Sequence, residues 1–75
     1  MDLILEKNNK VMAAIEIKLS TAPTISKGFR IVLEDTQAAQ AFLIARVKES
    51  YHADKNILVL SLDQFLEDHL KKLLG

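Results

Sequence analysis

The chain has no cysteine, so neither a disulfide scaffold nor a cysteine-ligated zinc site is open to it, and its composition suits a reducing compartment. It has no excess of either charge, because ten Lys and Arg balance ten Asp and Glu. No global positive field therefore draws it to nucleic acid, and any such contact needs a local basic patch. No apolar run nears the roughly 18 residues of a membrane span, and the opening Asp2-Leu3-Ile4-Leu5-Glu6 lacks a basic leader. The expectation is a cytoplasmic protein without a membrane segment. There are only two glycines and one proline, and no repeat, linker or low-complexity tract divides the chain. A Gly-x-x-x-x-Gly-Lys phosphate loop is absent too.

What is present is an ordinary globular composition, 49% hydrophobic and 27% charged, in 75 residues. That length makes a single domain, residues 1–75, whose core contributes no more than about 3–5 kcal/mol of net stability. Self-association as a homodimer, or a missing partner segment, fits so small a core.

The organising stretch is Val11-Met12-Ala13-Ala14-Ile15-Glu16-Ile17-Lys18-Leu19, an apolar run with two charges near its end. It reads as a buried strand over 11–19. Strand side chains alternate, so Glu16 and Lys18 share one face and Val11, Ala13, Ile15, Ile17 and Leu19 the other. Asp2-Leu3-Ile4-Leu5-Glu6 reads as a preceding strand, and Lys7-Asn8-Asn9-Lys10 as the turn of a β-hairpin, since Asn tolerates left-handed backbone.

The loop length decides which side chains meet. A two-residue loop of Asn8-Asn9 pairs Lys7 with Lys10 and sets Asp2 opposite Ile15, away from Glu16. A three-residue loop of Lys7-Asn8-Asn9, with Asn9 left-handed in a bulge, pairs Glu6 with Lys10 and sets Asp2 opposite Ala14, and Asp2 and Glu16 become diagonal neighbours about 7–8 Å apart on one face.

After the polar stretch 20–24, a helix is expected from near Thr24 or Ser26 to about Thr36, with Ile25, Phe29, Val32 and Leu33 as its apolar stripe. Gly28 inside it costs about 1 kcal/mol relative to Ala, so either the helix is weak there or something approaches its backbone. Residues 41–47 read as a central parallel strand, 48–56 as a polar connection holding Tyr51 and His52, and 57–60 as a short fourth strand. Ser61-Leu62-Asp63-Gln64 matches a capping box. The helix it opens has Leu62, Phe65, Leu66, Leu70, Leu73 and Leu74 as one face. The predicted fold is α/β, ββαββα, with a mixed four-stranded sheet in the order 1-2-3-4 and two helices. The direction of the fourth strand stays open, because nine residues are few for a parallel crossover.

Two carboxylates converging on one face can hold magnesium through hard oxygen ligands, leaving positions for water and a phosphate oxygen. A lysine two residues beyond the second carboxylate can orient the attacking water and offset transition-state charge. Asp2, Glu16 and Lys18 are the candidates for this chemistry. The alternative is that Glu16 and Lys18 form a solvated rim pair contributing at most about 1 kcal/mol. Lys27 and Arg30 on the helix either meet a phosphate backbone or are simply solvated. His52 reads as an exposed loop side chain, and His69 with Lys71 and Lys72 as positive charge suited to a helix C-terminus.

The acid…acid-x-Lys pattern and the order of elements resemble the PD-(D/E)XK, restriction-endonuclease-like fold. Asp-Leu-Ile-Leu-Glu-Lys, a short turn, Ala-Ile-Glu-Ile-Lys-Leu-Ser and then Ser-Lys-Gly-Phe also resemble the C-terminal nuclease-like domain of bacterial and archaeal AAA-type ATPases, over roughly residues 2–66. The resemblance implies Asp2 and Glu16 as metal ligands and Lys18 as the catalytic lysine, magnesium as cofactor, DNA as substrate, and an ATPase module as partner. Two departures follow from the same comparison. The helix and strand that precede the first acidic position in that fold have no counterpart here, and Met1 stands where the motif has proline. The expectation is thus a truncated nuclease-like core, the tail of a larger ancestral protein, inactive or incomplete as an isolated chain. The alternative is a non-catalytic interaction or dimerisation module.

Overall fold

The first two strands, β1 (Asp2–Lys7) and β2 (Lys10–Ile17), are joined by Asn8 and Asn9, with φ of 55° and 65°. Two successive left-handed residues make the turn whose twist matches the flanking strands, and it pairs Lys7 with Lys10. The register then shifts: Glu6 faces Val11, but Leu5 faces Ala13, so Met12 is the extra residue of a β-bulge. Met12 and Ala13 both belong to one apolar cluster, as a bulge allows and strict alternation does not. Beyond the bulge Ile4 faces Ala14 and Asp2 faces Glu16. The two-residue loop is present, yet Asp2 does not face Ile15, because Met12 supplies the shift that the loop does not.

The computed structural model describes residues 2–54 and 56–75; Met1, read as replacing the motif's proline, lies outside the described residues. After β2 come α1 (Lys27–Thr36), β3 (Gln40–Ile44), β4 (Tyr51–Asp54) and β5 (Ile57–Leu60). The chain then continues through α2 (Leu62–Phe65), a π-helical turn over Leu66–Leu70, and α3 (Lys71–Leu74).

The sheet has five strands, not four, in the order β1-β2-β3-β5-β4. Its centre, β2, β3 and β5, is parallel, and its edges, β1 and β4, are antiparallel to their neighbours. The additional strand is β4, inside the connection expected to be irregular. It resolves the problem of a short parallel crossover: the chain leaves β3, runs back along the far edge as β4, and turns directly into β5. All four β4 residues are exposed, so no apolar signature marks it.

A helical segment covers each face. On one, Phe29 of α1 is wholly buried, in a cluster with Ala14, Leu43, Ile57 and Val59. Helix α1 starts at the Ser26 cap, whose hydroxyl accepts from the Phe29 amide at 3.0 Å, and closes at Gln37 in left-handed conformation. On the other face Phe65 and Leu73 pack with Ala13, Ile15, Phe42, Ile44 and Leu60. The capping box forms as expected, with Ser61 and Gln64 bonding reciprocally at 3.0 and 3.2 Å.

The leucine face of this last helix needs correction. Leu62, Leu66 and Leu74 are exposed. The π turn sets Phe65 and Leu70, five residues apart, on the core side together, where an uninterrupted α-helix aligns residues three or four apart. Among the described residues no helix is long and apolar enough to cross a membrane.

Candidate functional site

Glu16 is the one charged residue among those described that is buried, at 6% exposure. It lies near the end of β2, beside Leu43 of β3, on the sheet face that α1 covers. Burying a carboxylate is costly unless it is paired and hydrogen-bonded, and Glu16 is both. Its Oε2 accepts from the Ser26 hydroxyl at 3.2 Å, and its Oε1 lies 3.6 Å from Lys18 Nζ. Because Ser26 caps α1, the carboxylate also sits at the positive end of the helix macrodipole.

Ser26 is thus a relay. Its hydroxyl donates to Glu16 and accepts from the first turn of α1, locking the helix start to the end of β2. Lys18 does the same for the intervening loop: Nζ donates to the Thr24 carbonyl, while its backbone amide extends the β2–β3 ladder to Ile44 at 2.9 Å. Among the described residues no buried side-chain polar atom lacks a partner.

Asp2 is the cross-strand partner of Glu16. Directly opposite residues share a face with Cβ atoms about 4.5–5.5 Å apart, closer than the diagonal arrangement expected from a longer loop. Asp2 is exposed whereas Glu16 is buried, so one carboxylate faces water and the other is fixed. The donor set suits a hard divalent cation, with Oε1 of Glu16 the freer oxygen because its 3.6 Å contact to Lys18 is longer than a hydrogen bond. Among the described residues no three or more His, Asp or Glu side chains gather into a metal site. Two protein ligands with water is an arrangement that magnesium accepts.

The helix cations divide. Lys27 opens α1 next to Ser26 and is exposed. The Arg30 guanidinium is drawn instead to β4 at the far edge, bonding Asp54 Oδ2 at 3.0 Å, so it does not join the carboxylates. A Cβ placed on Gly28 would meet nothing within 4 Å, so the space a side chain would enter there is open among the described residues.

The sequence singles out Asp2, Glu16 and Lys18, which the structure brings together, but not the contacts that Ser26 and Thr24 make with them. Ser26 carried a signal as a helix cap; its second bond, to a residue ten positions earlier, depends on how α1 settles on the sheet. Compared with known proteins, the chain matches no family model, no curated protein and no solved structure.

Proposed function

We propose that this is a nuclease-like domain whose chemistry is magnesium-dependent hydrolysis of DNA phosphodiesters. The observation that carries it is Asp2 directly opposite Glu16 on adjoining strands, with Lys18 paired to Glu16 from the same strand. Asp2 and Glu16 would hold the cation. When bound, magnesium polarises the phosphodiester and lowers the pKa of its water. Glu16 is held in place by Ser26, so its orientation does not have to be set at the moment of reaction. Lys18, anchored to the Thr24 carbonyl, keeps an ammonium beside the carboxylates, where it can orient water and offset charge on the phosphate. Lys27, the exposed cation nearest this end of α1, would contact the phosphate backbone.

A magnesium titration followed by amide NMR tests this. Saturable shifts confined to residues around Asp2 and Glu16, absent in Glu16→Gln, are expected. Amides there that stay still at millimolar magnesium would overturn it.

Non-catalytic association through the sheet edge, with a second copy or an ATPase partner, is favoured by β1. Leu3 and Ile4 are exposed on this outermost strand. Asp2, Glu6 and Lys7 flank them as charges that discourage edge pairing. Light scattering separates the outcomes: a dimer that Ile4→Lys dissociates supports association, and a monomer at NMR concentrations removes self-pairing.

A further inference from the structure

The chain has only two histidines, seventeen residues apart in sequence, and both line one open cavity of about 320 Å³. This cavity lies at the opposite end of the parallel strands from Glu16, and on the opposite face. Its floor includes Phe42 and Leu58, members of the cluster under the C-terminal helix, and its rim carries the carboxamides of Gln40 and Asn56. No charged side chain lines it among the described residues.

The two imidazoles come from different elements and are held differently. His52 stands on edge strand β4, opposite Leu58, and is exposed. His69 belongs to the π turn and is half-buried. Its ring centroid is 5.0 Å from that of Phe42, at 57°, and 6.4 Å from that of Phe65, at 18°. Single π turns inside α-helices recur at functional sites, and this one aligns Phe65 and Leu70 with the core while His69 reaches the cavity. A packed imidazole and an accessible one lining the same cavity, with carboxamide oxygens beside them and no ammonium among the lining residues, form a donor set for a borderline divalent transition metal. Imidazole nitrogen suits zinc, copper and nickel, whereas magnesium prefers carboxylate and water.

We propose that His52 of β4 and His69 of the π turn together bind a divalent transition metal ion, zinc as the probe, tying the edge strand to the C-terminal helix. The rim carboxamides and water would complete the coordination. The proposal does not depend on the magnesium chemistry of Asp2 and Glu16, which uses other donors elsewhere on the sheet.

The test is zinc titration of the whole chain, read by calorimetry and by the histidine ring signals in NMR. One zinc per chain, shifts in both imidazoles, and a thermal midpoint that rises with zinc are expected, because a ligand bound only to the native state stabilises it. His52→Ala should weaken binding at least about tenfold, the lower end of the loss seen even for outer-shell partners of a metal. Because His52 is exposed, that variant leaves the core intact. His69→Phe, which keeps an aromatic ring against Phe42, should do the same. Glu16→Gln should leave zinc binding unchanged. The proposal is overturned if zinc shifts appear only around Asp2 and Glu16, or if His52→Ala binds zinc as the parent does.

Discussion

The Ser26 hydroxyl donates to Oε2 of Glu16 at 3.2 Å while accepting from the Phe29 amide at 3.0 Å. One oxygen therefore satisfies a buried carboxylate and a free helix donor together. Loss of a serine cap costs about 1 kcal/mol, and leaving a buried charged group short of a partner costs about 1–3 kcal/mol more. Ser26→Ala should then lower stability by about 2–4 kcal/mol, most of what a core of this size supplies. Ser26→Asn caps as well and can donate from its amide, so it should recover most of the loss. Ser26→Asp caps but sets a second carboxylate against Glu16 and should fall well below Ser26→Asn. Urea denaturation at neutral pH gives the order; equal stability of the Asn and Asp variants would mean that the Glu16 contact contributes nothing.

Gly28 occupies the first turn of α1 with open space where a Cβ would stand, and its φ is not positive. Neither a close approach nor a backbone constraint requires glycine there. Gly28→Ala should raise stability by about 0.5–1 kcal/mol through helix propensity and reduced freedom of the unfolded chain. A higher urea midpoint with unchanged slope would show it.

Asn8 and Asn9 both hold left-handed backbone, which asparagine tolerates and glycine accepts without strain. Asn9→Gly should be neutral or slightly stabilising, whereas Asn8→Ala and Asn9→Ala should each cost about 1–2 kcal/mol. Thermal melts of the three variants test this, and an Ala variant as stable as the parent would show that the turn relaxes to another type.

Most elements were legible in the sequence, and the exceptions share a cause. The span 57–60, the Ser61-Gln64 capping box and the Ser26-to-Thr36 helix each carry local signals: an apolar run, a cap, a stripe. The bulge at Met12 carries none, because an apolar residue in an apolar strand looks the same whether it alternates or doubles up with Ala13. Strand β4 is invisible for the opposite reason, being an exposed edge whose Tyr51, His52 and Asp54 need no burial. The π turn has ordinary helical dihedrals at its borders, −61° and −47° at Phe65 and −61° and −39° at Lys71, so no residue type announces it. At the candidate site, the face shared by Glu16 and Lys18 followed from strand alternation alone. The place of Asp2 depended on one unmarked bulge.

Glu16 and Lys18 touch each other but should fail differently when changed. Glu16→Gln keeps an acceptor for Ser26 and removes the buried charge, so the loss of stability should stay within about 1 kcal/mol, since removing a buried charge offsets the weakened pair. It also removes a metal ligand, so the magnesium-dependent amide shifts should vanish. Lys18→Met keeps both carboxylates and the apolar stem but loses the ammonium; it leaves the buried Glu16 carboxylate with the Ser26 bond alone, so it should cost about 1–3 kcal/mol. In Lys18→Met the magnesium shifts should persist, strengthened because a competing cation has left Oε1, while any magnesium-dependent nicking of supercoiled DNA that the chain supports should be lost. Parallel titrations and nicking assays of the two variants separate ligand from positioning residue. If Lys18→Met abolished the shifts as completely as Glu16→Gln, the lysine would be holding the site together, and the division of roles between the two residues would be wrong.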